Sequence, residues 1–166
     1  MKGKEKTIHR LQETTLCYLI KENQVLLAMK KRGFGAGRYN GIGGKVKEKE
    51  SLEETLVREA SEEIGVKPIS FKRVAVLDFL FPEVPRDKDW NQRVNVFLIK
   101  EWEGEPEETE EMKPGWFPID DLPFDKMWVD DKIWLARVLA GETLKGEFIF
   151  AADQKTILKH SIKKAT

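Results

Sequence analysis

The sequence has very little cysteine and histidine. Cys17 is its single cysteine, and its two histidines, His9 and His160, lie near the two ends of a 166-residue chain. One cysteine excludes an intrachain disulfide and a zinc site built on two or more thiolates. The histidines are too far apart in sequence to indicate a metal site or a catalytic triad, so neither is given a role. Cysteine usage of this kind favours a reducing, cytoplasmic location.

Long hydrophobic runs and an excess of one charge are also missing. The longest apolar runs, such as 16–20 and 25–29, have five residues each, too few for a signal peptide or a membrane span. Lys and Arg total 29, as do Asp and Glu, and the formal net charge is zero. No global positive field would attract a nucleic-acid polymer. A membrane and a nucleic-acid polymer are therefore excluded as expected partners.

The chain has the length of one domain, so a single domain over residues 1–166 is expected. Short β-prone segments are interrupted by two helical segments, the second over 130–140 and ended by Gly141. The predicted strands are 14–20 and 24–29, which form a hairpin, then 71–81, 93–99, 147–151 and 155–162. Helices inserted among strands predict an α/β (α+β) fold with a mixed sheet and helices on its faces.

Two segments have a biased composition. Six of the twelve glycines lie between Gly33 and Gly44, which predicts an irregular loop there. Neither a Walker A sequence nor a G-x-G-x-x-G dinucleotide fingerprint can be read from these glycines. The segment 101–113 has seven glutamates in thirteen positions and predicts a solvated connection.

The best-defined element is a helix over about 52–64. Ser51 and Glu54 have capping-box spacing, and Gly65 stands where a left-handed residue ends a helix. Apolar residues follow at helical intervals between these two ends. Start, periodicity and stop therefore agree on one helix.

Three carboxylates share one face of that helix. Glu59, Glu62 and Glu63 are spaced i, i+3 and i+4, and their mutual repulsion requires a compensating cation. A solvated acidic face is the alternative, since surface helices are rich in glutamate. The glycine-rich segment just before the helix allows backbone groups to approach whatever the carboxylates hold. Oxygen ligands of this kind suit a hard cation, Mg²⁺ or Mn²⁺.

Read as a whole, residues 44–66 resemble the signature of the Nudix hydrolases, G-x5-E-x7-R-E-U-x-E-E-x-G-U, where U is apolar. The matching residues are Gly44, Glu50, Arg58, Glu59, Ala60, Glu62, Glu63, Gly65 and Val66. The resemblance implies an αβα sandwich and a metal-dependent enzyme that hydrolyses a diphosphate linkage. The catalytic residues that it implies are Arg58, Glu59, Glu62 and Glu63. The metal ligands that it implies are Glu59, Glu62, Glu63 and the carbonyl of Gly43.

Residues 30–46 and 123–134 resemble one Nudix subfamily, which hydrolyses oxidised purine nucleoside triphosphates and is also described as 8-oxo-dGTP diphosphatase. With them the resemblance runs from about Thr15 to Ile162. It implies that Asn40, Asp130 and Asp131 hydrogen-bond the purine edge and that Trp128 stacks on the base. Further implied substrate residues are Thr15, Lys30, Gly43, Gly44 and Lys45. Glu111 is implied as a further carboxylate on the metal side.

The chain departs from this subfamily in three places. The segment 82–92 is longer and brings in Trp90, Tyr39 replaces a tryptophan, and Val129 replaces a proline. The implied roles also have structural alternatives. These are core packing for Trp128 and Trp134, helix capping and first-turn charge for Asp130 and Asp131, and a solvated loop for Glu111.

The predicted function is Mg²⁺-dependent hydrolysis of oxidised purine nucleoside triphosphates, such as 8-oxo-dGTP and 2-hydroxy-dATP, to the monophosphate and pyrophosphate. Its biological role would be sanitation of the nucleotide pool. The alternatives are a Nudix hydrolase of another nucleoside diphosphate derivative and a non-catalytic nucleotide-binding regulator. The expected partner is a small-molecule nucleotide, and the expected state is a cytoplasmic monomer.

Overall fold

The computed structural model describes residues 11–165. His9 and the charged N-terminal residues lie outside this range. No helix in residues 11–165 is both long enough and apolar enough to cross a membrane.

The described residues form nine strands and two α-helices. The strands are β1 (Gln12–Lys21), β2 (Gln24–Lys30), β3 (Tyr39–Asn40), β4 (Ile42–Lys45), β5 (Lys67–Leu80), β6 (Gln92–Glu103), β7 (Met112–Pro118), β8 (Leu144–Phe150) and β9 (Ile157–Lys164). The helices are α1 (Leu52–Ile64) and α2 (Asp131–Leu139). Short 3-10 turns at Arg86–Lys88 and Phe124–Lys126 lie in the connections. The hairpin, both helices and the C-terminal strand pair are confirmed, and most strands are longer than predicted.

The strands form one mixed sheet in the order β3-β2-β1-β6-β5-β8-β9, with β4 paired to β1 and β7 paired to β2. The β1–β6 and β5–β8 pairs are parallel, and the other pairs are antiparallel. A cluster on one face joins α1, through Leu56 and Ala60, to Cys17 and Phe97. A cluster on the other face includes Trp134 of α2. The sheet is thus covered on both faces, which confirms the αβα sandwich.

Helix α1 begins and ends as its sequence indicates. Ser51 Oγ accepts a hydrogen bond from the Glu54 backbone N–H, and Glu54 Oε1 accepts one from the Ser51 N–H, at 3.0 and 2.8 Å. Gly65 ends the helix at φ +75°. The capping box satisfies two of the amide groups that a helix start leaves unpaired. The residues that begin and end this helix therefore fix its two boundaries without help from distant parts of the chain.

The prediction of an irregular loop over all of 33–44 was wrong at its C-terminal end. Gly33, Gly35 and Gly37 do form a loop with positive φ angles of +82°, +84° and +87°. The segment after them forms β3 and β4, and β4 pairs antiparallel with β1. A Cβ on Gly43 would overlap the carbonyl oxygen of Thr15. Gly41 and Gly43 thus serve close backbone approach to β1 rather than a loop conformation.

We expect Gly43→Ala to lower the free energy of unfolding by at least about 2 kcal/mol, because the added methyl would overlap a paired backbone that has little freedom to move. Urea denaturation of the metal-free protein measures the loss. Gly115→Ala is the control, since its Cβ would come no closer than 3.5 Å to Phe117, and its effect should stay within about 0.5 kcal/mol. Equal losses in the two variants would contradict this account of β4.

Candidate active site

A cavity of about 550 Å³ opens where β1 and β6 begin and β5 ends. Every residue that the resemblance implied for substrate lines it, and so does one of the signature glutamates. These residues are Thr15, Lys30, Asn40, Gly43, Gly44, Lys45, Glu63, Trp128, Asp130 and Asp131. The fold therefore brings both resembling segments and part of the signature helix to one site. Their individual roles stay predictions.

Arg58 supplies positive charge to the face of α1 on which the signature glutamates are crowded. Its Nε and Nη2 donate to the two oxygens of Glu50 at 2.7 and 3.0 Å, and Nη2 also donates to the Lys45 carbonyl at 3.2 Å. Nη1 donates to Glu59 at 3.0 Å and to Glu62 at 3.3 Å. The guanidinium holds the pKa of Glu50 well below its usual range, helped by the Lys47 N–H. Arg58 thus ties helix α1 to the end of β4.

Glu59 and Glu63 lie against the glycines of β4. The Glu59 carboxylate occupies the place that a Cβ on Gly44 would fill. Glu63 Oε1 accepts a hydrogen bond from the Gly43 N–H at 3.3 Å. Burial, and then the charge of Glu59, raises the pKa of Glu63 to about 8. Glu63, which has no bond to Arg58 among the described residues, therefore lies beside Glu59, whose charge Arg58 compensates.

This donor set fits a hard divalent cation. Carboxylates and a backbone carbonyl offer oxygen ligands alone, and Gly43, Gly44 and Glu63 line the cavity. In residues 11–165, no three His, Cys, Asp or Glu side chains already stand in the geometry that a metal needs. Arg58 instead bonds Glu59 and Glu62, and the Gly43 N–H bonds Glu63. Metal ligation by Gly43, Glu59, Glu62 and Glu63 stays a prediction.

Glu111 is engaged on the outer surface. Its carboxylate accepts a hydrogen bond from Arg32 Nε at 2.7 Å in an exposed ion pair, and pairs of this kind contribute little to stability. The segment around it is mostly exposed, as predicted, and it also hydrogen-bonds to the end of α1. The Glu107 N–H donates to the carbonyl of Ile64 and the Thr109 hydroxyl donates to that of Glu63, both at 3.0 Å. These bonds satisfy carbonyls that the end of α1 leaves free.

The aspartate pair lies at the start of α2 and is almost completely buried. Asp130 Oδ2 accepts a hydrogen bond from the Trp134 indole at 2.8 Å, and Asp131 Oδ2 accepts one from the Trp128 backbone N–H at 3.1 Å. Burial raises the pKa of both carboxyls, and the charge of Asp130 raises that of Asp131 further. Asp130 occupies the N-cap position without a side-chain capping bond, so capping does not account for it. Trp134 is fully buried, which confirms the core alternative for that residue.

Trp128 stands at the cavity wall among residues that sequence reasoning missed. The ring of Phe34 stacks on it at 5.4 Å, although Phe34 is 65% exposed. The Arg38 guanidinium carbon lies 4.8 Å from the centroid of the Trp128 ring, and Nη1 donates to the Met127 carbonyl at 3.1 Å. Phe34 and Arg38 both lie in the resembling segment 30–46. No local pattern distinguishes them there, because their partner is about 90 residues away.

The cavity also has an aromatic wall that the sequence did not reveal. Its members are Phe79, Phe81, Trp90 and Phe150. Phe81 stacks on Phe150 at 5.2 Å and meets Trp90 edge-on at 5.5 Å. From the sequence, such strand-end aromatics are indistinguishable from core residues.

The hydroxyl of Thr15 is a buried polar atom without a partner. Thr15 is 3% exposed, and among the described residues nothing hydrogen-bonds its Oγ1. An unpaired buried hydroxyl is costly. Because Thr15 also lines the cavity, a bound molecule could satisfy this atom.

Comparison with known proteins gives a consistent set of similarities. The model of the NUDIX domain family matches residues 10–138. An oxidized purine nucleoside triphosphate hydrolase of Mus musculus is 42% identical over 149 residues, which are 90% of this chain and 92% of the relative. A protein of the same name from Danio rerio is 38% identical over 89% of this chain and 92% of its own. The crystal structure of a mutator MutT protein from Bacillus halodurans superposes with a TM-score of 0.76 at 26% identity, and covers 92% of this chain and 98% of that one.

The raised pKa of Glu63 predicts a pH-dependent stability. The pKa of Glu63 is raised from 4.5 to about 8 in the folded, metal-free protein, so the folded state binds more protons than the unfolded state between these pH values. Its contribution to the free energy of unfolding is therefore complete below about pH 4.5 and is lost as the pH rises towards 8. We expect Glu63→Gln, which stays uncharged, to equal the wild type at low pH and to exceed it at pH 8. Urea denaturation with a chelator measures the difference, and a difference independent of pH would contradict the assignment.

Proposed function

This chain belongs to the NUDIX family, and from that premise we propose that it hydrolyses oxidised purine nucleoside triphosphates, such as 8-oxo-dGTP and 2-hydroxy-dATP, to the monophosphate and pyrophosphate. The observation that carries the proposal is one cavity lined by both a signature glutamate, Glu63, and the buried pair Asp130 and Asp131. Phosphate-side and base-side groups thus share a single site. Two relatives named for this activity align over about nine-tenths of the chain.

At the signature end we propose that Glu59, Glu62, Glu63 and the Gly43 carbonyl hold Mg²⁺, with Mn²⁺ as a substitute. Glu111 would join them on release from its ion pair with Arg32. When bound, such an ion neutralises phosphate charge and activates a water molecule. Arg58 keeps the carboxylates oriented through its bonds to Glu59 and Glu62. A helix carboxylate orients the attacking water or takes its proton. Lys30 and Lys45 line the cavity and supply positive charge towards the phosphates.

At the base end we propose that the aspartate pair reads the purine edge. Because burial raises both pKa values, the pair can share a proton and present one donor beside acceptors. Asn40, whose side-chain oxygen accepts the Gly41 N–H at 2.8 Å, retains an amide that can donate. Such a mixed edge suits more than one oxidised purine. Trp128 contributes a ring on which the base can stack.

We also propose that residues 1–166 act as one domain and as a cytoplasmic monomer that clears the nucleotide pool. A formal net charge of zero supports a small nucleotide as partner over a nucleic-acid polymer.

A turnover assay tests the function directly. The enzyme is given 8-oxo-dGTP, 2-hydroxy-dATP, dGTP, dCTP and dTTP with and without Mg²⁺, and pyrophosphate is measured separately from phosphate. We expect Mg²⁺-dependent release of pyrophosphate, fastest with the oxidised purines. Pyrimidine turnover at a comparable rate, or a preference for a nucleoside diphosphate sugar, would refute the proposal.

We expect Glu59→Gln and Glu63→Gln each to lower kcat by at least about 10², the scale of lost metal or acid–base assistance. The exchange is nearly isosteric, so circular dichroism should not change. Glu53→Gln, an exposed position in the first turn of the same helix, is the matched control and should retain full kcat. If the losses were confined to stability, these glutamates would have no catalytic role.

Changes in the aspartate pair should alter selectivity rather than abolish turnover. We expect Asp130→Asn and Asp131→Asn to change the ratio of kcat/KM between 8-oxo-dGTP and 2-hydroxy-dATP, because an amide does not ionise and so cannot switch between a protonated donor and an ionised acceptor. Trp128→Ala should weaken the binding of both substrates by about 1–3 kcal/mol, because the stacking contact with the base is lost. Exposed Asp125→Asn is the control. Equal effects of the aspartate changes on every substrate would show that the pair only supports the helix.

A further inference from the structure

Two tryptophans line the cavity from different parts of the fold. Trp128 precedes α2 and packs on Gly35 and Arg38, in the loop that leads into β3 and β4. Trp90 belongs to the segment 82–92 between β5 and β6, and packs on Phe81. The two tryptophans therefore belong to two separate walls of the cavity.

The order of the strands places these two walls on opposite sides of one floor. At this end of the sheet the order is β4-β1-β6-β5, and Leu16 of β1 and Val94 of β6 lie in the floor of the cavity. The flanking strands are three spacings of about 4.8 Å apart, or about 14 Å. A planar ring in contact on both faces needs about 7 Å. The flanking strands are thus about twice as far apart as one ring in contact on both faces requires.

Hydrogen bonds and ring contacts hold Trp90 in position. The neighbouring Asn91 accepts the Phe81 N–H at its side-chain oxygen and the Gln12 N–H at its carbonyl, at 2.8 and 2.9 Å. At the far end of the loop, Glu83 accepts the Ala152 N–H at 3.0 Å. Phe81, which Trp90 meets at 87°, is itself stacked on Phe150. The segment 82–92 is thus attached at both ends, and its indole is supported at the cavity.

We propose that Trp90 is a specificity-determining residue that forms the second aromatic face of the base site, so that the purine lies between Trp128 and Trp90. This inference rests on the proposed function in that it takes the occupant to be a purine nucleotide. A fused two-ring base covers more of both indoles than a pyrimidine does, so the second face strengthens purine selection. Packing on Phe81 alone would give Trp90 a role in stability and none in base binding.

Calorimetric titration with dGMP and with 8-oxo-dGMP, in the presence of Mg²⁺, tests the contact without turnover. We expect Trp90→Ala to weaken purine binding about 5- to 140-fold, the stacking of one base at 1.4 kcal/mol per tenfold. Trp90→Phe should keep affinity within about threefold, since a smaller ring still stacks. Trp102→Phe, a change at a tryptophan that packs on Trp116 in the other core cluster, is the control and should bind like the wild type. Binding of inorganic pyrophosphate should be unchanged in all three variants.

A second measurement covers the case in which Trp90→Ala unfolds. Incorporation of 5-fluorotryptophan labels all five tryptophans, and Trp90→Phe identifies the Trp90 fluorine resonance. Saturation with dGMP should shift the Trp90 and Trp128 resonances and leave that of Trp102 in place. A shift at Trp128 without one at Trp90 would overturn the proposal. So would wild-type affinity for dGMP in Trp90→Ala, an equal loss of pyrophosphate binding, or no binding of dGMP to the wild type.

These outcomes are separate from those of the proposed function. A wild type that binds dGMP but does not release pyrophosphate from any purine triphosphate would refute the hydrolase. The ratio of wild-type to Trp90→Ala affinity would still decide the role of Trp90. Conversely, normal turnover with an unshifted Trp90 resonance would leave the hydrolase standing and remove the second aromatic face.

Discussion

The Arg58 guanidinium joins three segments on which the carboxylate end of the cavity depends. Its five N–H donors are all used: they reach both oxygens of Glu50, the Lys45 carbonyl, Glu59 and Glu62. A lysine has three donors on one nitrogen and could not span this set. Because the Arg58 and Glu50 side chains are only 21% and 14% exposed, solvent ions screen their attraction less than at an open surface. Loss of this one side chain would leave Glu59, Glu62 and Glu63 repelling one another and would remove the bond from α1 to the Lys45 carbonyl at the end of β4.

The same network leaves one carboxyl uncompensated. Arg58 reaches Glu59 and Glu62 but not Glu63 among its described bonds. Glu63 is instead pressed against β4, where burial and the charge of Glu59 raise its pKa. Its position therefore costs stability near neutral pH, and a divalent cation would offset that cost. Local conflicts of this kind are expected at functional sites.

The sequence predicts well those features that depend only on residues close together in the chain. The capping box at Ser51, the end of α1 at Gly65 and the first hairpin all follow from neighbouring residues. Strand β4 did not, because the need for Gly43 arises from the carbonyl of Thr15 on another strand. The aromatic wall was missed for the same reason: residues at strand ends look apolar whether they face a core or a cavity. One signal was available, since the i, i+4 spacing of Asp130 and Trp134 places the indole N–H beside the carboxylate.

The two ends of the cavity handle buried carboxyls in opposite ways. At the signature end a permanent cation compensates Glu59 and Glu62, though not Glu63, and so preserves negative charge for a metal. At the base end neutral donors, the indole of Trp134 and the backbone N–H of Trp128, are the partners of Asp130 and Asp131, so burial raises their pKa values. Arg38 is close, yet its guanidinium lies over the Trp128 ring and bonds the Met127 carbonyl. An arginine paired with the aspartates would keep both ionised and remove the donor that a shared proton provides. A mixed donor and acceptor edge therefore depends on keeping cations away from this pair.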